Sequence, residues 1–173
     1  RIDYLDSEDG VFLLEKASTN LITHSEDFSN EAWAKSGNAV VDSNFTTSPS
    51  GKQNASKFTF DGTTNATVNR TISVTNGVAY TFSVWLKNNN LSDPSKVWIG
   101  LSTTTQGEYV TVTNEWQRFD TTHTSNGILE YPRVQTSEVG SIFAWAAMLE
   151  QSSQSSSYIP TQGTIQTRVQ ETA

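Results

Sequence analysis

The sequence has no cysteine, two histidines, one methionine and four prolines, and it holds no long uninterrupted apolar run. Without cysteine there are no disulfides, thiol nucleophiles or thiolate metal sites. His24 and His123 stand far apart, outside any HExxH-type spacing, and no serine occupies a GxSxG turn. With no stretch of about 18 apolar residues there is no candidate membrane-spanning helix. The opening does not read as a signal peptide, since Asp3, Asp6, Glu8 and Asp9 interrupt it. Acidic residues outnumber basic ones 18 to 11, and the resulting formal charge of −7 argues against DNA or RNA as a ligand. A start at Arg1 and a single methionine at Met148 read as an excised or processed piece of a longer protein.

What the chain does have points to strands. Ser and Thr supply about a quarter of it, aromatics are 10%, and strong helix formers are scarce, a mixture suited to strands and turns. Alternating segments bounded by turn residues recur throughout: Val11–Leu14, Lys57–Phe60 ending at Asp61-Gly62, Thr67–Val74 ending at Asn76-Gly77, and Tyr80–Lys87. Val97–Leu101, Glu108–Val112, Trp116–Thr122, Tyr131–Thr136 and Ile142–Leu149 continue the series. Pro49-Ser50-Gly51 reads as a turn, and Ser29–Ala34 as one turn of helix. Nine or ten short strands of this kind predict an all-β fold, an antiparallel β-sandwich of jelly-roll, concanavalin-like type. The expected layout is one domain over residues 1–160, with a polar tail over 161–173. Gln151–Ser157 (QSSQSSS) is low-complexity and is expected to be an exposed connection.

Four stretches in order, RIDY…FLLEKASTNLITHSEDFSNEAWAK (1–35), VTNGVAYTFSVWLK (74–87), EWQRFDTT (115–122) and IFAWAAMLEQSSQSSSYIPTQGTIQTR (142–168), resemble a domain of phage tail-fibre and other virion proteins. That domain is itself similar to carbohydrate-binding modules of the four/nine type. The resemblance implies a jelly roll of two antiparallel sheets, a virion or extracellular setting and a parent protein that is a homotrimer. The similar modules hold a structural calcium, a hard cation that takes oxygen ligands. Glu26, Asp27 and Glu150 lie in the matching blocks, although AWAAMLE lacks the aspartate pair those modules carry. The other reading of Glu26 and Asp27 is that they cap the turn before Phe28.

Catalysis is not signalled. Glu26 and Asp27 are the most visible acidic pair, but side chains adjacent in sequence point apart, so the chain reads as a non-enzyme. Sugar binding uses aromatic faces for stacking and amide, guanidinium or carboxylate groups for hydroxyls. Phe28, Trp33, Trp116 and Trp145 are expected in the core. In YTFSVWLK, residues two apart share a face, so Tyr80, Phe82, Val84 and Leu86 face in and Trp85 and Lys87 face out. By the same parity Trp98, Arg133 and Gln135 face out of their strands. If these strands share a sheet, its outer face is an aromatic platform of Trp85, Trp98, Lys87, Arg133 and Gln135, joined by Tyr109.

The expectation is therefore a non-catalytic domain that attaches to polysaccharide or a cell-surface glycan, with no nucleic acid and no membrane insertion. Two alternatives stand beside it: a ligand-free structural or decoration domain of a virion, and an accessory module of a polysaccharide-degrading enzyme.

Overall fold

The computed structural model describes residues 2–3, 11–12, 15–90, 93–102 and 106–172. Leu13 and Leu14, the end of the first expected strand, lie outside the described residues. The strands are β1 (Ile2–Asp3), β2 (Val11–Phe12), β3 (Ser18–Asn20), β4 (Ala34–Ser36), β5 (Val40–Thr47), β6 (Gln53–Asp61), β7 (Ala66–Asn69) and β8 (Ile72–Ser73). There follow β9 (Ala79–Asn88), β10 (Lys96–Gly100), β11 (Gly107–Thr111), β12 (Gln117–Thr124), β13 (Leu129–Glu130), β14 (Arg133–Thr136), β15 (Val139–Glu150) and β16 (Gln166–Arg168).

Ten of these build the sandwich. One five-stranded sheet has the order β11-β10-β14-β7-β4, the other β12-β9-β15-β6-β5, and all pairings are antiparallel. The inward faces follow from alternation. Tyr80, Phe82, Val84 and Leu86 of β9, Phe58 and Phe60 of β6, Val97 and Ile99 of β10 and Val134 of β14 meet in one core. Burying a side chain of this size is worth roughly 1.5–3 kcal/mol. Phe28 and Trp33 complete the core from the loop before β4, with ring centroids 4.8 Å apart.

Two local expectations are corrected. Residues 29–33 form turns and bends that lead into β4, with Trp33 N donating to Asn30 O at 3.0 Å, and no helix is present among the described residues. The expected strand Thr67–Val74 is split into β7 and β8.

Strand β15 departs from strict alternation. Trp145 pairs Trp85 and Met148 pairs Ser83, so Ala146 and Ala147 together oppose one residue of β9, and Ala146 is left-handed at φ 57°. This bulge turns Ala147 and Leu149 into the core in place of Ala146 and Met148. Beyond it the opening of the chain docks. The buried Asn20 side chain donates to Ala147 O (3.3 Å) and Ile159 O (2.8 Å) and accepts from Ile22 N and Leu149 N. Ala147 N donates to Ser25 O at 2.9 Å, and β16 pairs β3. The segment read as a polar tail thus contributes a strand to the same unit, and Thr161 is buried against Ser25.

Candidate functional site

Each sheet has one face on the core and one turned outward, and the residues expected on a single platform divide between the two outer faces. Trp98, Tyr109, Arg133 and Gln135 lie on the β11-β10-β14-β7-β4 sheet, whereas Trp85 and Lys87 lie on the β12-β9-β15-β6-β5 sheet. The outward parity holds for both strands. The shared sheet does not, because alternation fixes the face of a strand and not its neighbours.

On the first sheet the register lines up two rows across five strands. One row is Tyr109, Trp98, Gln135, Thr67 and Ser36; the next is Gly107, Gly100, Arg133, Asn69 and Ala34. Directly opposed side chains in antiparallel strands are about 4.5–5.5 Å apart at Cβ. The rings of Trp98 and Tyr109 accordingly meet edge to face at 5.2 Å and 74°. Tyr109 is 56% exposed. Lys96, two residues before Trp98, sets its ammonium 4.7 Å from the Tyr109 ring centre.

Glycine explains how a large ring lies on this face. A Cβ on Gly100 would stand 2.6 Å from Trp98 Nε1, and one on Gly107 would stand 2.8 Å from Trp98 Cε2. The indole therefore occupies the space that two missing side chains leave, across both strands. The amide beside it is held: Gln135 Nε2 donates to Asn65 Oδ1 at 3.0 Å, and Thr67 Oγ1 donates to Gln135 Oε1 at 3.3 Å. Arg133 is 7% exposed, and its Nε donates to Tyr131 O at 3.3 Å. Lys96, Thr67, Asn65 and the two glycines were not singled out from sequence. Lys96 was within reach, since it stands two residues from Trp98 on the same strand.

The second outer face carries a packed aromatic cluster. Trp85 packs on Trp145 at 6.4 Å, Trp145 on Tyr158 at 5.2 Å, and Trp116 donates its Nε1 to Thr47 O at 3.2 Å. Trp116 and Trp145 thus belong to this outer cluster, not to the core between the sheets. The polar segment after β15 docks on the same sheet beside them. Thr81 Oγ1 donates to Ser152 O, Arg118 Nη1 donates to Ser156 O, and Ser155 donates to Asp120. The QSSQSSS stretch is exposed at Gln151, Ser153 and Gln154, as expected, and is fastened to the sheet through Ser152, Ser155 and Ser156. Lys87 is half-buried beside Phe143, its partner in register.

The three carboxylates considered for a cation do not converge. Glu26 accepts from Asn54 Nδ2 (2.8 Å) and Tyr158 OH (3.2 Å), and with Asp27 it lines a polar cleft of about 620 Å³ that also includes His24 and Lys52. Asp27 Oδ1 accepts from Ser29 N, Ser29 Oγ, Asn30 N and Ser43 Oγ, which makes it the cap of the turn. Burial alone would raise its pKa, and these bonds outweigh that and hold it below the ordinary aspartate value. Glu150 lies elsewhere, taking bonds from Ser18 Oγ, Ser156 N and Ser156 Oγ. Among the described residues no three or more His, Asp or Glu side chains group as a metal site.

No protein-family model matches the chain, and no curated protein matches it. Solved structures do. The CBM22-1 xylan-binding domain from Paenibacillus barcinonensis Xyn10C superposes with a TM-score of 0.60 at 16% identity, over 82% of this chain and 99% of that one. A mutant of CBM29-2, a family 29 carbohydrate-binding module, gives 0.55 at 11% identity over 80% and 87%. The enzymatically active domain of bacteriophage CBA120 tailspike protein 4 gives 0.53 at 15% identity. The match takes in 75% of this chain and only 21% of that tailspike. What is shared is the fold. The chain is a jelly-roll sandwich of the kind seen in carbohydrate-binding modules.

Proposed function

We propose that this domain is a non-catalytic carbohydrate-binding module that holds a polysaccharide across the outer face of the β11-β10-β14-β7-β4 sheet. The observation that carries the reading is the row Tyr109, Trp98, Gln135: two touching rings followed by an amide locked by Asn65 and Thr67. Rings of this kind stack on the apolar faces of sugars, and fixed amides bond their hydroxyls at little ordering cost. The names of its fold relatives, a xylan-binding domain among them, support the same reading.

The setting belongs to the proposal too. Attachment to a host-surface glycan from a virion tail, in a trimeric parent, fits the sequence resemblance and the tailspike fold match. It would turn weak single sites into avidity. The fold match to a CBM22-1-GH10 xylanase favours instead an accessory module of a polysaccharide-degrading enzyme. The neighbouring domains of the parent separate the two. Binding itself is tested by retention of the domain on a panel of insoluble and gel-embedded polysaccharides. Wild type should be retained by at least one and Trp98→Ala by none. Equal retention of both proteins would refute the site.

A further inference from the structure

We infer that the polysaccharide this face accepts is acidic, with the carboxylate of a uronic acid residue seated on Arg133. The inference rests on the binding face proposed above and names its ligand class.

The starting point is the charge inventory of the face. The outward strand positions of the two rows hold no Asp or Glu, although the chain carries 18 acidic residues against 11 basic ones. Arg133, on the centre strand, is the one charged residue of the two rows; Lys96 stands exposed just beyond them at the rim, where Glu138 Oε2 accepts from Ser95 N at 3.0 Å. Arg133 is more than nine-tenths buried and has no carboxylate partner among the described residues. Its one hydrogen bond is made by Nε, and its Nη atoms are not among the buried atoms sealed from solvent. Burial lowers its pKa, opposed only by Tyr131. Arginine nevertheless stays protonated in proteins, so the face holds a largely desolvated positive charge with nothing set against it.

A buried charge without a counter-charge is unfavourable, and an arriving anion relieves it. The free Nη groups form the planar fork that matches a carboxylate bidentately. Their place fits a sugar acid. Arg133 is the register partner of Gly100, over which the Trp98 indole lies, so a ring stacked on Trp98 brings its substituents to the guanidinium. One buried guanidinium and one rim ammonium on a chain of net charge −7 suit a sparse charge, one carboxylate per sugar or fewer. Two cations are too few to match a densely sulfated polymer.

The test is affinity electrophoresis of the domain in polygalacturonate, alginate and hyaluronate, in carboxyl-reduced polygalacturonate and xylan, and in dextran sulfate. The expected result is retardation by at least one uronate polymer. Its affinity should fall with added salt and by roughly 10- to 100-fold in Arg133→Gln, the scale of a charge-assisted hydrogen bond. Should Arg133→Gln fail to fold, Arg133→Lys keeps the charge and removes the fork, and Lys96→Gln removes the exposed cation; both should lower affinity. Retention by neutral polymers that is lost in Trp98→Ala and unchanged in Arg133→Gln overturns the acidic ligand while leaving the binding face intact. Retention by dextran sulfate alone overturns the carboxylate. No retention by any polymer removes the binding face and the inference together.

Discussion

Gly107 is the position at which a single added methyl group should cost both stability and the shape of the binding face. A Cβ there would stand 2.3 Å from Ile99 O, 2.6 Å from Gly100 Cα and 2.8 Å from Trp98 Cε2. Two of the three are backbone atoms of β10, which cannot rotate aside. Gly107→Ala must therefore push edge strand β11 away from β10 and lift the indole. Overpacking of this kind costs about 1–3 kcal/mol. With a urea m-value of about 2 kcal/mol/M, the midpoint should fall by about 0.5–1.5 M, with m unchanged. Far-UV circular dichroism gives that midpoint, and polysaccharide retention on the folded variant should drop with it. Gly127 is the control. Nothing lies within 4 Å of its added Cβ, and its φ is outside the left-handed region, so Gly127→Ala should stay within about 0.5 kcal/mol of wild type. A Gly107→Ala protein with wild-type midpoint and wild-type retention would refute the close packing of Trp98 on the glycines.

Asp61 should titrate at about 2 in the folded domain, because the Thr63 and Asn38 side chains and the Thr63 amide bond to its ionised form. Its folded pKa is depressed, so its contribution is present above the unfolded value of about 3.9 and is lost as pH falls from there through about 2. Carboxyl-carbon NMR reads this directly, and a folded pKa of about 3.9 or more would contradict it. Ser25→Ala should destabilise by about 1–3 kcal/mol, since it strips partners from the buried Thr161 amide and the Tyr158 hydroxyl that tie the opening to the closing segment. An unchanged unfolding midpoint would show that this contact does not hold the ends together.

The strands and their faces were legible in the sequence, and the sheets they join were not. Tyr80, Phe82, Val84 and Leu86 announce an inward face by parity alone, and the structure places all four in the core. Trp98, Gln135 and Arg133 face outward for the same reason. That Trp98 neighbours Tyr109 and Gln135 while Trp85 neighbours Arg118 and Trp145 depends on pairings between distant segments, which alternation does not encode. Trp145 lies outside the core, against expectation, because the bulge at Ala146–Ala147 changes parity only after it, and Trp145 keeps the outward side of Trp85. The docking of QSSQSSS on the sheet was hidden because the stretch has the composition of a loop. Its main-chain carbonyls at Ser152 and Ser156 accept from Thr81 and Arg118, and the Ser156 hydroxyl donates to Glu150, all on the sheet beneath. The opening and closing motifs stand out together because they are one structural feature: Asn20, Ser25 and β3 on one side, and Ile159, Thr161 and β16 on the other.

Isothermal titration of a retained polysaccharide into wild type, Trp98→Ala and Trp85→Ala tests most directly which face binds. The two tryptophans are equivalent by parity and lie on opposite sheets. The outer face of β11-β10-β14-β7-β4 as the site requires that Trp98→Ala abolish the heat of binding while its urea midpoint stays within about 0.5 M of wild type, and that Trp85→Ala bind like wild type. Binding that survives in Trp98→Ala and disappears in a folded Trp85→Ala would put the site on the other sheet.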